Sequence, residues 1–354
     1  MKIEVLQLDA CTSVPFSERL DCILIKYRQA LNTLGKPARL VWSRAFLSDA
    51  ANQLDELFSH SLYDALKEGA FSYVEQPPLN GCKIVLLIGV TTDDIQVSGT
   101  PEKRIIISNG ERYLFQSVRF TKEESVGMTP KQQTRETFAR HIQWLREEGL
   151  NLRDNCHRTW LYVRDIDTNY QQVVDGRNEI FDEEGLTKTT HFIASTGIEG
   201  NSQATAATVG IDFWSVDAPD TKVKYLTATN YLNPTHEYGV AFERGTKIQI
   251  GDTTQWLISG TASIDNKGMC IHVGDVKRQA ERLLLNIEKL LEDGNARLDN
   301  IRWMTVYLRD ISDSNVIEAY LRKRFPKVIA IIVEARVCRP AWLIEIEAVA
   351  YINE

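Results

Sequence analysis

The chain has 354 residues, of which 43% are apolar and 25% charged, and its formal net charge is -7 at neutral pH. This length exceeds the usual single domain and predicts two domains. The acidic balance argues against nucleic-acid binding, which needs a basic stripe to neutralise phosphates. No apolar run approaches membrane-spanning length and the N-terminus lacks a signal-peptide pattern, so we expect a cytoplasmic protein without nucleic-acid or membrane partners.

Cysteine and histidine usage bears on metals and redox chemistry. The six cysteines, at positions 11, 22, 82, 156, 270 and 338, are scattered and include no Cys-x-x-Cys pair. This spacing fits neither a zinc site nor a disulfide framework, so we expect reduced thiols. The histidines show no metal-ligand spacing, and no glycine-rich phosphate loop opens a helix. We therefore predict neither a metal nor a cofactor.

Hydrophobic periodicity predicts the elements of the first half of the chain. Amphipathic helices are predicted at 16–34, 50–66, 130–148 and 170–181. Strands are predicted at 83–90, 104–108, 112–120, 158–163, 190–195 and 206–214. Asn109-Gly110 is a strong signal for a two-residue hairpin turn between the second and third of these strands.

The second half repeats this order. Strands are predicted at 255–259, 268–272, 302–308, 328–337 and 341–351, the first two as a hairpin. Helices are predicted at 276–291, after the N-cap Asp275, and at 314–325. The letters repeat too, since 161–166 (LYVRDI) recurs as 306–311 (VYLRDI). We infer an internal duplication of a ββαβαββ unit, with a boundary near residues 217–220 and helices on one face of each mixed sheet.

The last predicted strand, within residues 336–350, carries groups that an apolar run should exclude. Cys338, Arg339, Glu345 and Glu347 interrupt it. Buried charges are costly unless they are partnered. Either Arg339 pairs with a carboxylate of its own chain, or the strand holds a site for an anionic substrate beside a carboxyl group. Strand alternation places Glu345 and Glu347 on the same face, so periodicity cannot choose between them.

The second repeat resembles the Rid (YjgF-like) family. The matching residues are Ser259-Gly260 at a strand end, Gly274-Asp275 opening a helix with Gln279, Asn286-Ile287, the strand 306–310, Tyr320, Phe325, and Arg339 followed by 344–348. In that family the arginine holds the carboxylate of an imino acid and a glutamate of the last strand positions water. The resemblance implies these roles for Arg339 and for Glu345 or Glu347.

From residue 83 to the end, the chain looks like the chorismatases, which couple a degenerate Rid-like domain to a second Rid-like domain. The matching residues are Tyr170 and Arg177, Tyr231, Tyr238-Gly239, Phe242 and Arg244, the segment 260–263 (GTAS), and Cys338-Arg339-Pro340 with Glu345. The implied fold is α+β, with two tandem Rid-like (chorismate-mutase-like) domains. The resemblance implies that residues 1–217 form the degenerate N-terminal domain with an N-terminal extension, and that residues 218–354 form the C-terminal catalytic domain.

This resemblance implies conversion of chorismate, a small dicarboxylate, to 3-hydroxybenzoate and pyruvate, with 4-hydroxybenzoate as a further product. Glu345 would protonate the methylene carbon of the enolpyruvyl group, since a carboxyl group in an apolar strand favours its acid form. Arginine is a natural carboxylate clamp. The expected substrate-binding residues are Tyr170, Arg177, Tyr231, Arg244, Gly260 and Arg339. Cys338 would select the aromatic product, and Gly260 would leave space for the ring.

Several alternatives stay open at this level. Arg177 could be a snorkelling arginine at the edge of a helix, Arg244 a stacked surface arginine, and Cys338 a small core residue. The segment 195–197 (STG) could offer a backbone contact to a substrate carboxylate. The chain could instead be a Rid-type enamine or imine deaminase, or a non-catalytic metabolite-binding protein. Both a monomer and a homotrimer are compatible with the duplication.

Overall fold

The computed structural model describes residues 1–10, 13–34 and 36–353. The strands of these residues form three sheets, of four, six and six strands. Each sheet mixes parallel and antiparallel pairs, and its long helix packs against it. The predicted α+β class with mixed sheets is therefore confirmed.

The first unit, residues 1–91, has its own sheet. Its elements are β1 (Glu4–Asp9), α1 (Phe16–Thr33), β2 (Arg39–Leu47), α2 (Ala50–Phe58), α3 (Ser61–Leu66), β3 (Ala70–Glu75) and β4 (Ile84–Thr91). The strand order is β1-β4-β2-β3. The second predicted helix is divided into α2 and α3, because the His60 side chain accepts a hydrogen bond from Leu62 N–H and starts a new helix.

The second unit, residues 96–217, forms a sheet in the order β5-β6-β7-β10-β8-β9. Its elements are β5 (Gln96–Thr100), β6 (Lys103–Ser108), β7 (Glu111–Val118), α4 (Lys122–Ser125), α5 (Pro130–Glu147), α6 (Leu152–Asn155), β8 (Cys156–Val163), α7 (Ile166–Glu183), β9 (Ala194–Glu199) and β10 (Val209–Asp217). The predicted hairpin turn is present between β6 and β7. Asn109 and Gly110 have φ angles of 52° and 81°, as a two-residue type I′ turn requires.

The third unit, residues 222–353, has the order β11-β12-β13-β16-β14-β15. Its elements are β11 (Lys222–Tyr225), β12 (Gly245–Ile250), β13 (Thr253–Ala262), α8 (Val276–Asp293), β14 (Ile301–Leu308), α9 (Ser314–Arg324), β15 (Ile329–Glu334) and β16 (Ile344–Asn353). Asp275 caps α8 as predicted, since its side chain accepts from Arg278 N–H.

Two predictions for the third unit are wrong. Residues 268–272 do not pair with β13 as a strand, because Gly268 and His272 have positive φ angles and only one isolated bridge, between Ile264 and Cys270, is formed. Residues 335–343 form a loop rather than strand ends. Pro340, which has no N–H to give to a ladder, lies in this loop, and β16 begins only at Ile344.

The three units repeat one topology. In each, an 18-residue helix (α1, α5 or α8) precedes a strand that pairs in parallel with the next one. The last strand (β4, β10 or β16) then inserts between the strand before the long helix and the strand after it. Residues 1–91, which the sequence left as an extension, are thus a shorter third copy. The sequence repeat at 161–166 and 306–311 revealed only the second and third copies.

The three sheets share an apolar core where they meet. Its buried residues include Val41 from the first unit, Trp214 from the second, and Leu257 from the third. A cavity of about 530 Å³ lies at this junction and is lined by residues of all three units, among them Trp42 and Trp160. The helices lie on the outer faces, so the inner faces of the sheets position any side chain that acts between units.

The cysteine expectation needs one correction. Cys82 is buried two residues before β4 and is disulfide-bonded, whereas Cys22, Cys156, Cys270 and Cys338 are free. Cys11 lies outside the described residues. Spacing along the chain missed this bond because it depends on which segments the fold brings together. Within the part of the chain that the structure describes, none of the helices is long and apolar enough to cross a bilayer.

Candidate active site

Four of the predicted site residues, Tyr170, Gly260, Cys338 and Glu345, come together where the third unit packs against β9 of the second. On one side, Ser195 N–H donates to Ser259 Oγ at 2.9 Å, which ties β9 to the end of β13. On the other side, Glu199 N–H donates to the Arg336 carbonyl at 3.0 Å. β9 is therefore held between β13 and the 335–343 loop, and the cleft between these segments contains the start of β16.

Glu345 lies at this start of β16 with its side chain only 4% exposed. Its strand neighbours are Ala262 on β13 and Tyr307 on β14. Burial raises the pKa of its carboxyl group to about 8, and the negative charge of Glu347 adds to this, while Arg244 and Arg158 oppose it. Near neutral pH the group is therefore mainly a protonated acid.

Glu347, two residues further along β16, has a different environment. Its Oε2 accepts from Arg158 Nη2 and from the Thr196 hydroxyl, both at 2.6 Å. Its Oε1 accepts from the Trp160 indole N–H at 2.9 Å, and the Arg44 guanidinium lies 3.9 Å away. These donors compensate a buried carboxylate, so Glu347 is a structural ion-pair partner. It pairs with arginines of the first and second units and not with Arg339.

Gly260 faces the carboxyl group of Glu345 directly. A Cβ atom at this position would lie 2.1 Å from Glu345 Oε1 and 3.0 Å from the Thr196 methyl group. Such approaches are far inside van der Waals contact. The missing side chain therefore makes room for the acid itself, a different role from the space for a substrate ring that the resemblance implied.

Cys338 and Tyr170 meet across the same cleft. The Tyr170 hydroxyl donates a hydrogen bond to the Cys338 sulfur, which joins α7 to the 335–343 loop. Burial raises the pKa of the Cys338 thiol to about 12, and the nearby Glu345 adds to this. The thiol is thus protonated at neutral pH and acts as a compact neutral wall beside the acid rather than as a nucleophile.

The predicted arginines differ in exposure. Arg244 is buried and donates to the Asn233 carbonyl at 3.1 and 3.3 Å, and its charge acts on Glu345. Arg177 is buried on the same face of α7 as Val173 and Val174, with its guanidinium 5.8 Å from the Phe181 ring centre. Both are therefore buried rather than snorkelling or surface arginines.

Arg339 and Tyr231 each form a cation–π contact, and their expected roles in substrate binding stay predictions. Arg339 is exposed in the 335–343 loop, with its guanidinium 5.6 Å from the Trp342 ring centre. The Tyr231 ring lies against Arg282 and Lys289 of α8, at 5.6 and 5.7 Å. Arg339 thus sits near Cys338 at the rim of the cleft, while Tyr231 contacts the outer helix. The side chain of Tyr238 lies outside the described part.

Structurally equivalent positions in the three units carry different residues. Where Tyr307 pairs with Glu345 on the third sheet, Tyr162 pairs with Gly210 on the second and Phe46 with Val85 on the first. In the second unit the Arg119 side chain fills the space over Gly210 and forms an ion pair with Asp212 at 2.8 Å. Only the third unit has an acid at this position.

Sequence reasoning missed the residues that hold Glu347. They are Arg44, Arg158, Trp160 and Thr196. Arg158 could have been found by the signal that revealed Glu345, since a guanidinium in a buried strand needs a partner. Thr196 lies in the 195–197 segment, a candidate for a backbone contact to a substrate carboxylate. In the structure its side-chain hydroxyl donates to Glu347.

Comparisons with known proteins agree with this architecture. The family model described as Endoribonuclease L-PSP matches residues 246–352. A RutC family protein of Pyrococcus abyssi is 35% identical over 99 residues, which is 27% of this chain and 76% of that protein. The chain belongs to the RutC family. A second RutC family protein, of Pyrococcus horikoshii, is 37% identical over the same length and is covered to 77%. The RutC relationship thus confirms the Rid-like character of the third unit.

A solved structure matches the whole chain along its full length. A crystal structure of chorismatase superposes with a TM-score of 0.70 at 17% identity, and the match covers 99% of each chain. This RutC family member therefore shares the chorismatase fold through all three units, including residues 1–91.

Gly260→Ala should destabilise the protein, because the added methyl group overlaps the Glu345 carboxyl group. We expect a loss of about 1–3 kcal/mol in the free energy of unfolding, measured by urea titration. Glu345→Ala in the same chain should relieve most of this loss. The matched control is Gly245→Ala on β12, where the added atom would lie 3.1 Å from two side-chain methyl groups and 3.2 Å from a backbone oxygen, well outside the 2.1 Å approach at Gly260. Equal losses for the two single variants would contradict the assignment.

Glu345→Gln should stabilise the protein increasingly as pH rises from 5 to 8. The carboxyl group has a pKa of about 8 in the folded protein, above its usual value of 4.5. Its favourable contribution to the free energy of unfolding is therefore complete below pH 4.5 and is lost as pH rises towards 8. The neutral amide avoids this loss, which for one group amounts to about 1.4 kcal/mol per pH unit at most. Urea midpoints of both proteins between pH 5 and 8.5 test this, and a pH-independent difference would refute it.

Proposed function

We propose that this protein acts on chorismate and releases pyruvate, with Glu345 as the general acid. The observation that carries the proposal is a buried carboxyl group whose pKa is raised to about 8, which supplies a proton donor at neutral pH. Protonation of the enolpyruvyl methylene carbon gives an oxocarbenium-like centre, from which the ether bond can break. The full-length likeness to a chorismatase structure supports this substrate.

The proposed clamp follows from charge and burial. Chorismate carries two carboxylates, and a buried guanidinium binds such a group strongly. Arg244 is buried and its charge acts on Glu345, and the Tyr170 hydroxyl reaches the neighbouring Cys338. We assign these two side chains and Arg177 to substrate binding. Arg339 would act at the rim, and a contact from Tyr231 stays a prediction, as do the oligomeric state and the cytoplasmic location.

The proposed product is 3-hydroxybenzoate, with 4-hydroxybenzoate as a minor product. Chorismate contains the same atoms as hydroxybenzoate plus pyruvate, so this branch consumes no water, whereas formation of a dihydroxycyclohexadiene carboxylate consumes one. The Cys338 side chain packs against the apolar cores of both the second and third units. A neutral thiol beside the acid would exclude water from the intermediate and so favour the aromatic branch.

Purified protein should release pyruvate from chorismate, as followed by coupled lactate dehydrogenase. Because Glu345 must be protonated to act, kcat/KM should fall as pH rises through about 8. Glu345→Gln should reduce kcat by about 10²–10⁴-fold. A melting curve should show that the variant is folded, so that its loss of kcat is not a loss of structure. Absence of pyruvate release from the folded wild-type protein would refute the proposal.

Cys338→Ala should shift the products towards the dihydroxycyclohexadiene carboxylate, because the smaller side chain admits water next to Glu345. Total pyruvate release should change by less than about tenfold, since the acid is retained. Product ratios are measured by liquid chromatography. The matched control is Cys22→Ala on α1, a free cysteine of the first unit. An unchanged product ratio in Cys338→Ala would contradict the role of this thiol.

A second candidate is imine deamination, favoured by the RutC family match of the third unit. In this alternative Arg339 would bind the carboxylate of an imino acid, and its exposed position at the rim leaves it accessible. Competition with semicarbazide for 2-iminobutyrate separates the two candidates. Deaminase activity without pyruvate release from chorismate would favour this second function.

A further inference from the structure

The hydroxyl group of Thr196 lies at the contact between β9 and the start of β16, and Thr196 is 1% exposed. It donates to Glu347 Oε2 at 2.6 Å and accepts from Arg158 Nη2 at 2.5 Å and from Gly260 N–H at 3.0 Å. A hydroxyl group has one proton to donate and two lone pairs. All of its hydrogen-bonding capacity is therefore used, by three groups that come from two units.

The bond to Gly260 fills a gap in the sheet. The register between β13 and β16 shifts between Ile258 and Thr261, so Gly260 lies in an irregular, bulge-like step of β13. Residues in such a step lose their regular ladder partner. The Thr196 hydroxyl accepts the Gly260 N–H that the ladder does not use, and it does so from the neighbouring unit.

This step of β13 forms one wall of the space that holds Glu345. The Cβ position of Gly260 lies 2.1 Å from Glu345 Oε1 and 3.0 Å from the Thr196 methyl group. A small movement of Gly260 towards Glu345 would therefore displace the carboxyl group. Thr196 contacts both Gly260, which lies beside the Glu345 carboxyl group, and the carboxylate of Glu347. The charge of Glu347 in turn acts on Glu345.

We propose that Thr196 is a positioning residue for Glu345, acting across the unit interface through Gly260 and Glu347. The proposal rests on the proposed function, in which Glu345 donates the proton. It assigns to the second unit a direct part in the chemistry of the third. Catalysis is sensitive to such placement, since a displacement of about 1 Å can cost about 100-fold in rate.

Thr196→Val tests this, because valine keeps the shape and removes the hydroxyl group. We expect kcat for pyruvate release from chorismate to fall by about 10–100-fold, with KM changed by less than about threefold. Thr196→Ser keeps the hydroxyl group and should stay within about threefold of wild type. The matched control is Thr246→Val on β12, a buried threonine whose hydroxyl has no hydrogen-bond partner in the described part of the chain. It should behave like wild type.

The pH profile gives a readout that general destabilisation would not move. Among the described residues, the ionisable groups that act on Glu345 or are affected by it are Glu347, Arg244, Arg158 and the Cys338 thiol, and Tyr307 is its cross-strand neighbour. Without the Thr196 hydroxyl, Glu347 loses one donor and its charge is less compensated. The basic limb of kcat/KM should therefore move to higher pH in Thr196→Val and stay in place in Thr246→Val.

A double variant separates failure of this proposal from failure of the proposed function. In a Glu345→Gln background, Thr196→Val should lower the residual rate by less than about threefold, because the acid it positions is gone. Fully additive losses, wild-type kcat in Thr196→Val, or an equally slow Thr196→Ser would each overturn the positioning role. Full activity of Glu345→Gln would instead overturn the proposed function. If Thr196→Val does not fold, Thr196→Ala is measured in its place with the same expected loss in kcat.

Discussion

A carboxylate buried between units is the constraint on which the arrangement of this protein depends. Glu347 belongs to the third unit, yet its donors Arg158, Trp160 and Thr196 come from the second, and Arg44 comes from the first. A buried ion pair that loses one partner destabilises a protein by about 3–5 kcal/mol. The network is complete only when the three sheets meet, so it contributes to holding the three units together.

The same network creates the conditions for an acid. Glu345 is two residues away on the same strand, where it feels the charge of Glu347 without sharing its set of donors. Two carboxyl groups on one face thus have opposite environments, one compensated and one desolvated. Holding a protonated carboxyl group here lowers stability at neutral and alkaline pH, a cost that is expected at functional sites. Gly260 is part of this design, because any side chain there would occupy the position of the acid.

The three units share a fold but differ in the residue that occupies the position of Glu345. They share an 18-residue helix, the order of four of their strands and the placement of the last strand, but the position of Glu345 is taken by glycine and valine in the other two. In the second unit an arginine fills the corresponding space. A common topology therefore carries different side chains at this position, and only in the third unit is that side chain a carboxyl group. The likeness to chorismatase extends over all three units.

By itself, the sequence determined the fold class, most helices and central strands, and the relationship of the third unit to a known family. These features are local, since periodicity, caps and turn residues act within a few positions and motifs are read as letters. The first unit escaped detection because Arg44 and Ser43 interrupt the apolar pattern of β2 and no letters repeat there.

Only the tertiary structure decided which carboxyl group is compensated and which is not. Strand alternation makes Glu345 and Glu347 equivalent, and the difference between them comes from Arg158, which lies 189 residues earlier in the chain. The role of Gly260 was decided in the same way, by an atom-scale contact with Glu345. Burial and charge compensation depend on which distant segments pack together, and no local pattern contains that information.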